Sequence, residues 1–303
     1  MTSLTRRLRR SRWARTLVAP LLTARRYAQQ RGHRRKLEIW TRFTALLAED
    51  PVVQVDEFEG FFQLDARSHV FRRIVLHGEY EPEISRLCRT YAPADRDAID
   101  VGANAGFYSV LLARLSNSRR VVAVEPSRPM LARLRANLDR NGVADRVIVV
   151  EGGLSDSKGT AELSGINGLE EYGTIGTLAH PSLRHLSDSA PSEITTIQTF
   201  TLDDLVAAYD LDPGFIKVDV EGVEALVFRG ATHVLATHRP VILSELDDAL
   251  LRANGSSALD VTRLFHDAGY RVLDPHDPAL LPVDPSSVAQ LDEILCIPNE
   301  SVQ

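Results

Sequence analysis

The chain has little cysteine, little lysine and no long apolar run among its 303 residues. Only Cys88 and Cys296 are present, which excludes a disulfide framework and favours a reducing compartment. No window approaches the roughly 18 consecutive apolar residues of a membrane-spanning helix, so we expect no such helix. The 44% of hydrophobic and 25% of charged residues exclude a mostly disordered or collagen-like chain. Together these absences predict a globular cytoplasmic protein.

Basic residues are concentrated at the start of the chain. Residues 1–36 contain twelve of the 35 Lys and Arg residues and no acidic residue, so the rest carries 23 basic against 41 acidic residues. The acidic body argues against nucleic acid as a ligand. Trp13, Leu17 and Leu21 share a helical face, which would allow contact with the inner face of a membrane or with a partner protein. A flexible basic tail and a helix docked on the acidic body are the alternatives.

Hydrophobic patterning divides the rest of the chain into two parts. Apolar positions at helical spacing predict a helix over residues 36–48. Alternating runs near residues 52–55, 59–64 and 70–76 predict a small antiparallel meander. Strand and helix patterns then alternate, which predicts a parallel sheet with helices on both faces. The predicted division is a basic leader, an N-terminal extension and a main domain, at residues 1–36, 37–82 and 83–303.

The main domain contains five strand patterns, each followed by a helix pattern. The strands are predicted at residues 98–101, 121–125, 146–151, 214–220 and 240–246. The helices are predicted at residues 106–115, 128–140, 201–209, 222–236 and 257–268. Two further strands, at residues 270–273 and 293–297, have only a Pro-rich loop between them, so we expect the last strand to return antiparallel. Residues 164–192, rich in Gly, Ser and Pro, predict a long irregular loop.

The most informative segment is residues 98–109, where a strand pattern leads into Asp-x-Gly-x-x-x-Gly and a helix pattern follows directly. Gly102 permits a sharp turn and close backbone approach, and Gly106 lets the helix begin tight against the strand. Asp100 would repel a pyrophosphate, yet it can hold a cationic amine. Glu125 ends the next strand, where a carboxylate can accept both hydroxyls of a ribose. The alternative is a tight turn that binds no ligand.

This motif, followed by the strand-end acid, resembles the signature of class I S-adenosylmethionine-dependent methyltransferases. Seven motifs in the same order across about residues 70–275 resemble the FkbM-type branch in particular. They lie at residues 78–83, 100–109, 124–127, 137–141, 153–156, 215–224 and 240–245. The resemblance implies a doubly wound α/β fold with a mostly parallel seven-stranded sheet, and S-adenosyl-L-methionine as the cofactor. The leader and the loop at residues 164–192 lie outside it.

The resemblance also implies a set of cofactor-binding residues. They are Glu81, Asp100, Gly102, Ala103, Asn104, Gly106, Phe107, Glu125, Pro126, Leu154, Ser155 and Asp156. Asp100 and the glycine loop would hold the methionine portion, over which Glu81 would close. Glu125 would hold the ribose, and Pro126 would lie along the adenine. The three residues that begin with Leu154 would meet the edge and the amino group of the adenine.

The fourth parallel strand has a polar carboxyl end. Lys217, Asp219 and Glu221 alternate along it, so they share one face, and open α/β sheets bind ligands at such ends. Asp219 is our candidate for contact with the reacting end of the cofactor or the acceptor hydroxyl. Glu221 and Glu245, at neighbouring strand ends, would face the acceptor. A structural Lys–carboxylate pair is the alternative. A metal bridging the carboxylates is another, but no full ligand set is visible and we predict none.

The sequence leaves the general base open. Asp219 is one candidate, and His77, His180 and His185 are others. An Asn-Pro-Pro-Tyr motif is absent, which lowers the case for methylation of base amines. We therefore expect an enzyme that methylates an oxygen of a small-molecule or glycan acceptor, a sugar or secondary-metabolite hydroxyl. The acceptor class follows from the resemblance alone. The alternatives are a nucleotide-cofactor oxidoreductase and a catalytically silent methyltransferase-like binding protein.

Overall fold

The computed structural model describes residues 50–115, 119–166, 174–175, 192–277 and 279–301. The basic leader, the helix predicted at residues 36–48, His180 and His185 lie outside the described residues. Within the described ranges, no helix has the length and apolar character needed to span a membrane.

The strands and helices of the described residues are numbered in chain order. The strands are β1 (Val52–Val55), β2 (Gly60–Gln63), β3 (Asp97–Val101), β4 (Val121–Glu125), β5 (Val147–Glu151), β6 (Gly153–Leu154), β7 (Gly159–Ile166), β8 (Thr174–Ile175), β9 (Ser192–Phe200), β10 (Pro213–Val218), β11 (Val241–Glu245), β12 (Tyr270–Leu273) and β13 (Glu293–Pro298). The α-helices are α1 (His69–His77), α2 (Pro82–Tyr91), α3 (Phe107–Leu115), α4 (Arg128–Arg140), α5 (Leu202–Tyr209), α6 (Glu224–Arg229), α7 (Thr232–Thr237), α8 (Asp248–Ala253) and α9 (Ala258–Asp267).

A central sheet of seven strands has the order β12-β13-β11-β10-β3-β4-β5. The pairs β11–β10, β10–β3, β3–β4 and β4–β5 are parallel. β13 runs antiparallel to both of its neighbours. The predicted doubly wound α/β fold with a mostly parallel sheet is therefore confirmed. The last strand returns antiparallel as predicted, and no α-helix is described between β12 and β13.

Both faces of this sheet are covered by apolar side chains. Every residue of β3 and β4 is buried, as is typical of central parallel strands. Leu111 of α3 and Leu134 of α4 are fully buried in the core on one face. On the other face, Phe228 and Phe265 pack edge to face with ring centroids 4.6 Å apart. The carboxyl ends of the parallel strands are left as the edge where a ligand can bind.

The prediction of one continuous helix at residues 222–236 is wrong, because the chain forms two helices there, α6 and α7. The Asp203 carboxylate explains the break: it accepts hydrogen bonds from the backbone N–H groups of His233 and Val234, at 2.9 Å each. These donors open α7, and a carboxylate at a helix N-terminus stabilises a new start. The cap comes from a residue about thirty positions upstream, so local periodicity does not reveal it.

The N-terminal extension is a hairpin followed by helices. β1 and β2 pair antiparallel, as two of the three predicted meander runs require. The third run, predicted as a strand at residues 70–76, is wrong because these residues lie in α1. Ser68 caps this helix by accepting a hydrogen bond from Phe71 N at 2.9 Å. Phe71 and Ile74, one turn apart, are its buried residues, so the helical period outweighs the alternating one.

A second sheet of four strands has the order β6-β9-β7-β8. β7 and β9 pair antiparallel from Gly159 opposite Thr199 to Ile166 opposite Ser192. The irregular loop predicted at residues 164–192 is therefore wrong at its ends, which belong to strands. Its other residues, apart from those of β8, lie outside the described part of the chain.

Candidate active site

The glycine loop lies between β3 and α3, at the carboxyl edge of the central sheet. The backbone N–H groups of Gly102 and Ala103 both donate to Val124 O, at 2.9 and 3.0 Å, and tie the loop to β4. Gly102 has φ +77°, and a Cβ atom there would lie 1.8 Å from the backbone oxygen of Asp219. Only glycine fits, because the clash involves backbone rather than a movable side chain. The loop therefore packs directly on the segment that follows β10.

The second half of the loop turns the chain into α3. Asn104 has φ +48° and Gly106 has φ +88°, both in the left-handed region. A Cβ at Gly106 would meet Leu134 Cδ1 at 2.6 Å, so the missing side chain lets the helix start close to α4. Phe107 follows as the first residue of α3 and is buried in the aromatic core.

Glu125 ends β4 with its carboxylate buried against the glycine loop. Its Oε2 accepts from Asn104 N and its Oε1 from Ser127 N, both at 2.8 Å. Burial raises the pKa of Glu125 to about 7, although the two N–H donors oppose the shift. Each carboxylate oxygen has a second lone pair, so Glu125 can still accept hydrogen bonds from two hydroxyl groups.

Asp100 lies within β3 and is only 1% exposed. Its Oδ2 accepts from the Ser109 hydroxyl at 2.6 Å, whereas its Oδ1 has no hydrogen-bond partner among the described residues. Burial raises the pKa of Asp100, and the nearby Lys217 ammonium opposes this shift. A buried acceptor without a partner is costly, so this oxygen fits a cationic or hydrogen-donating ligand group.

Glu81 faces the same region from the N-terminal extension. It adopts the left-handed conformation with φ +45° and ψ +55° just before α2. Its Oε2 accepts from the hydroxyl of Tyr108 at 2.5 Å. The residue that the resemblance assigns to the methionine end is thus held by the first turn of α3.

The residues predicted to meet the adenine differ in their exposure. Leu154 is 1% exposed and belongs to the apolar core, so its side chain has little surface to offer a ligand. Ser155 is half-buried and Asp156 is exposed, and Ser155 N is fixed by Phe200 O at 2.8 Å. Pro126 is half-buried immediately after Glu125.

The predicted acceptor residues come together at the ends of β10 and β11. Lys217 Nζ donates to Asp219 Oδ2 at 2.8 Å, with side-chain exposures of 7% and 41%. β10 ends one residue before Asp219, so the predicted strand at residues 214–220 is too long. Glu221 follows in the left-handed region with φ +55°. The shared face predicted from strand alternation is therefore wrong for Glu221, which lies in a turn.

Asp219 and Glu245 bring carboxylate oxygens within 4.8 Å of each other. Burial raises the pKa of Asp219, but the Lys217 ammonium and the neighbouring Glu245 carboxyl group outweigh burial and leave this pKa below its usual range. Burial and the negative charges of Asp219 and Glu221 raise the pKa of Glu245 well above its usual range. Asp219 is therefore the more acidic member of the pair.

One group of carboxylates has the spacing of a metal site. Oxygen atoms of Asp219, Glu221 and Glu245 all lie within 4.8 Å of one another. Carboxylate oxygens are ligands that Mg²⁺ and Ca²⁺ prefer, so the group could hold such an ion. The Lys217 ammonium offsets part of the same negative charge, and the sequence-based expectation that no metal is bound stays a prediction.

The comparison with known families decides the class of this protein. Residues 100–272 match the model of the methyltransferase FkbM domain, which is more than half of the chain. The chain belongs to the FkbM methyltransferase family. The resemblance stated from the sequence is thereby confirmed, and so is the interpretation as a methyltransferase. Neither alternative, an oxidoreductase or a silent binding protein, gains support.

The individual proteins to which the chain is similar share less than a third of its residues. The chain is 28% identical over 230 residues to hexuronic acid methyltransferase AglP of Haloferax volcanii, which covers 74% of this chain and 83% of AglP. It is 26% identical over 286 residues to AMB antimetabolite synthetase AmbE of Pseudomonas aeruginosa, of which it spans only 13%. A solved structure, methyltransferase FkbM of Methylobacillus flagellatus KT, has 22% identity and a TM-score of 0.44, covering 67% of this chain and 44% of that one.

Two acidic residues of this FkbM site were not predicted from the sequence. Glu224 is 1% exposed, and its Oε1 accepts from Gly222 N at 3.1 Å and Val220 N at 3.4 Å. It thereby braces the turn that follows Asp219. Glu293 lies opposite Glu245 in the β11–β13 register, and burial together with the charge of Glu81 raises its pKa to about 8. Glu224 could have been found from the sequence, because acids recur along residues 219–224. The place of Glu293 in the site depends on the pairing of β11 with β13, which the sequence does not show.

The predicted histidine bases are not part of the described site. His77 is exposed at the end of α1, and the other two candidates lie outside the described residues. Asp219 is therefore the candidate base that the described geometry supports best.

Proposed function

We propose that this FkbM-family chain transfers a methyl group from S-adenosylmethionine to a hydroxyl oxygen of a sugar or secondary metabolite. The main support for S-adenosylmethionine as the cofactor is the buried Asp100 carboxylate, whose Oδ1 has no hydrogen-bond partner among the described residues. The α-amino group of the cofactor is a cation with several N–H donors, which would satisfy this oxygen. Family membership, which implies this cofactor, supports the same assignment.

The remaining cofactor contacts follow from the shape of the glycine loop. The ribose hydroxyls would donate to the free lone pairs of Glu125, which the loop already holds in place. Ser155 and Asp156 have exposed surface on the adenine side, and Glu81 would border the methionine side. The donors and acceptors at the edge of the sheet therefore match the polar groups of the cofactor from one end to the other.

The acceptor end supplies a base. S-adenosylmethionine provides a methyl group on a sulfonium centre that is open to in-line attack by an oxygen. Asp219 would take up the proton of the acceptor hydroxyl as that oxygen receives the methyl group and S-adenosylhomocysteine leaves. Lys217, at 2.8 Å, holds the Asp219 carboxylate in position. Glu245, whose carboxylate oxygens lie within 4.8 Å of those of Asp219, would border the same acceptor hydroxyl.

The acceptor class is supported by the crevice and by one relative. Glu221 and Glu293 border the pair of Asp219 and Glu245 with further carboxyl groups, which suit a molecule that carries several hydroxyl groups. AglP, 28% identical to this chain, is by name a methyltransferase of hexuronic acid, a sugar acid. A small-molecule or glycan acceptor is thus our proposal. Contact of the basic leader with a membrane or partner stays a prediction.

Two measurements on the full chain test this proposal. Isothermal titration calorimetry with S-adenosylmethionine and with NAD should show binding of the first and none of the second. Tritiated S-adenosylmethionine should then label at least one member of a panel of sugar alcohols and glycosides. Asp100→Asn should weaken cofactor binding by about 10- to 100-fold, the scale of one hydrogen bond to a charged group. Glu162→Gln, at an exposed position of β7, is the matched control. Tight NAD binding without cofactor binding would overturn the proposal.

A further inference from the structure

Tyr108 is the second residue of α3 and lies directly behind the glycine loop. It is 6% exposed, and its ring packs edge to face against Phe58 with centroids 5.0 Å apart. The sequence motifs and the family resemblance assign this side chain no role. Its hydroxyl and its ring face contact two different parts of the site.

The hydroxyl group contacts the cofactor side. It donates to Glu81 Oε2 at 2.5 Å. Glu81 has a left-handed backbone conformation that few residues with a side chain adopt. A carboxylate on such a turn needs neighbours to fix its direction. Burial raises the pKa of the Tyr108 phenol well above its usual value, so the hydroxyl remains a donor.

The ring face contacts the acceptor side. Lys217 Nζ lies 4.4 Å from the centre of the Tyr108 ring, within the range of a cation–π interaction. The same ammonium group donates to Asp219 Oδ2 at 2.8 Å. Because Lys217 is 6% exposed, its head group cannot turn out to solvent without leaving both neighbours. The ring therefore limits where Lys217 can hold the Asp219 carboxylate.

We propose that Tyr108 is a positioning residue that couples the two ends of the methyl-transfer site. Its hydroxyl fixes Glu81 at the cofactor, and its ring fixes Lys217 and so the direction of Asp219 at the acceptor. This inference rests on the proposed function, since it takes Glu81 to border the cofactor and Asp219 to face the acceptor. The alternative is a tyrosine that only fills the aromatic core beside Phe58.

Two substitutions separate the hydroxyl from the ring. Tyr108→Phe keeps the packing and the cation–π contact but removes the hydrogen bond to Glu81. Tyr108→Leu removes both contacts. Near-ultraviolet circular dichroism and thermal melting establish that each variant is folded. If Tyr108 only fills the core, the leucine variant should have a lower melting temperature. The phenylalanine variant should then have the melting temperature and the ligand affinity of the unmodified protein.

The small number of lysines gives a direct readout of the ring contact. The chain contains only Lys36, Lys158 and Lys217, so protein labelled with ¹³C-lysine gives three sets of Hε–Cε signals. Lys36→Arg and Lys158→Arg assign the Lys217 set by elimination. Protons above an aromatic ring are shielded, so the Lys217 Hε signals should lie upfield of the other two sets. A nuclear Overhauser contact to the Tyr108 ring protons should accompany them in the unmodified protein.

The expected results differ between the two variants. Tyr108→Phe should keep the upfield Lys217 signals and weaken S-adenosylhomocysteine binding about tenfold by calorimetry. Tyr108→Leu should lose the upfield shift as well. The kinetics use an acceptor that becomes labelled in the tritium assay. The phenylalanine variant should have a higher KM for the cofactor at nearly unchanged kcat. The leucine variant should have a higher KM and also a lower kcat.

Each arm has an outcome that overturns it. Unchanged S-adenosylhomocysteine affinity in a folded Tyr108→Phe protein overturns the role of the hydroxyl. Lys217 signals without an upfield shift or ring contact in the unmodified protein overturn the role of the ring, even if the leucine variant does not fold. An unmodified chain that binds no S-adenosylhomocysteine contradicts the proposed function instead. The lysine signals do not depend on that result, so the two failures are distinguishable.

Discussion

The elevated pKa of Glu125 predicts that cofactor binding weakens in acid. Ribose hydroxyls donate to the ionised carboxylate, whereas the protonated form has lost one acceptor and gained a donor. With a pKa of about 7 in the free protein, Glu125 is mostly protonated at pH 5.5 and mostly ionised at pH 8. Binding at low pH must therefore first remove a proton, and that step reduces the apparent affinity.

The size of the effect follows from the distance between the pKa and the working pH. We take the bound ribose hydroxyls to hold the pKa of Glu125 in the complex below 5.5. The affinity then falls tenfold for each pH unit below 7, over the roughly 1.5 pH units down to pH 5.5. S-adenosylhomocysteine should therefore bind about 30-fold more weakly at pH 5.5 than at pH 8. Calorimetry at pH 6 in buffers of different ionisation enthalpy should also detect proton release, approaching one proton, on binding.

Glu125→Gln provides the comparison, because it cannot ionise. The variant should bind S-adenosylhomocysteine more weakly at pH 8, by about 10- to 100-fold for a lost bond to a charged group. Its remaining pH dependence belongs to other groups, such as Asp100 and Glu293. The difference between the two pH profiles therefore isolates Glu125. Equal slopes for both proteins between pH 5.5 and 8 would refute the reasoning.

The same pKa has a consequence for the stability of the ligand-free protein. Because the pKa of Glu125 in the folded state is raised from 4.5 to about 7, its stabilising contribution is complete below pH 4.5 and is lost as the pH rises through 7. The rise in pKa from 4.5 to about 7 corresponds to at most about 3–4 kcal/mol. S-adenosylhomocysteine should restore part of this loss, so its effect on the melting temperature should be larger at pH 8 than at pH 5.5.

Three further substitutions test the backbone and the acceptor end. Gly102→Ala should prevent folding or cost about 3–5 kcal/mol of unfolding free energy, because its Cβ meets the Asp219 backbone oxygen; Gly142→Ala, also at positive φ but with open space around it, should cost only about 1 kcal/mol. Asp219→Asn should lower turnover by about 10²- to 10⁴-fold with nearly unchanged cofactor affinity, and normal turnover would remove Asp219 as the base. It should also lower the melting temperature, since buried Lys217 loses its partner. Glu224→Ala should lower turnover by loosening the turn after Asp219, whereas Glu224→Gln, which retains an acceptor oxygen, should restore most of it; equal losses would show that the charge is needed.

The parts of the fold that were predictable are those where burial acts on consecutive residues. The strand β4 reads as an apolar run because both of its faces are covered, and α4, which follows it, has its buried residues at helical spacing. The motif around Gly102 was predictable for a related reason. A tight turn between a buried strand and a helix requires glycine at fixed positions, whatever the ligand is.

Features set by distant residues were not predictable in the same way. The break between α6 and α7 depends on the Asp203 cap, and the neighbourhood of Glu245 and Glu293 depends on which strand pairs with β11. The contact between Glu81 and Tyr108 joins the residue before α2 to the first turn of α3, 27 positions apart. The spacing of residues along the chain does not predict such contacts. The sequence therefore predicted the acids at the strand ends but not the tyrosine that connects them.

The geometry at Gly102 limits how the two halves of the site can be separated by mutation. The loop that would cradle the cofactor touches the backbone oxygen of Asp219, the proposed base, and Asp219 N in turn donates to Val101 O at 3.0 Å. A change in the loop backbone must therefore disturb both cofactor binding and chemistry. Side-chain changes that preserve shape avoid this problem, because Glu125→Gln and Asp219→Asn alter charge at opposite ends of the site. A comparison of these two variants thus separates cofactor binding from methyl transfer, whereas a substitution of Gly102 does not.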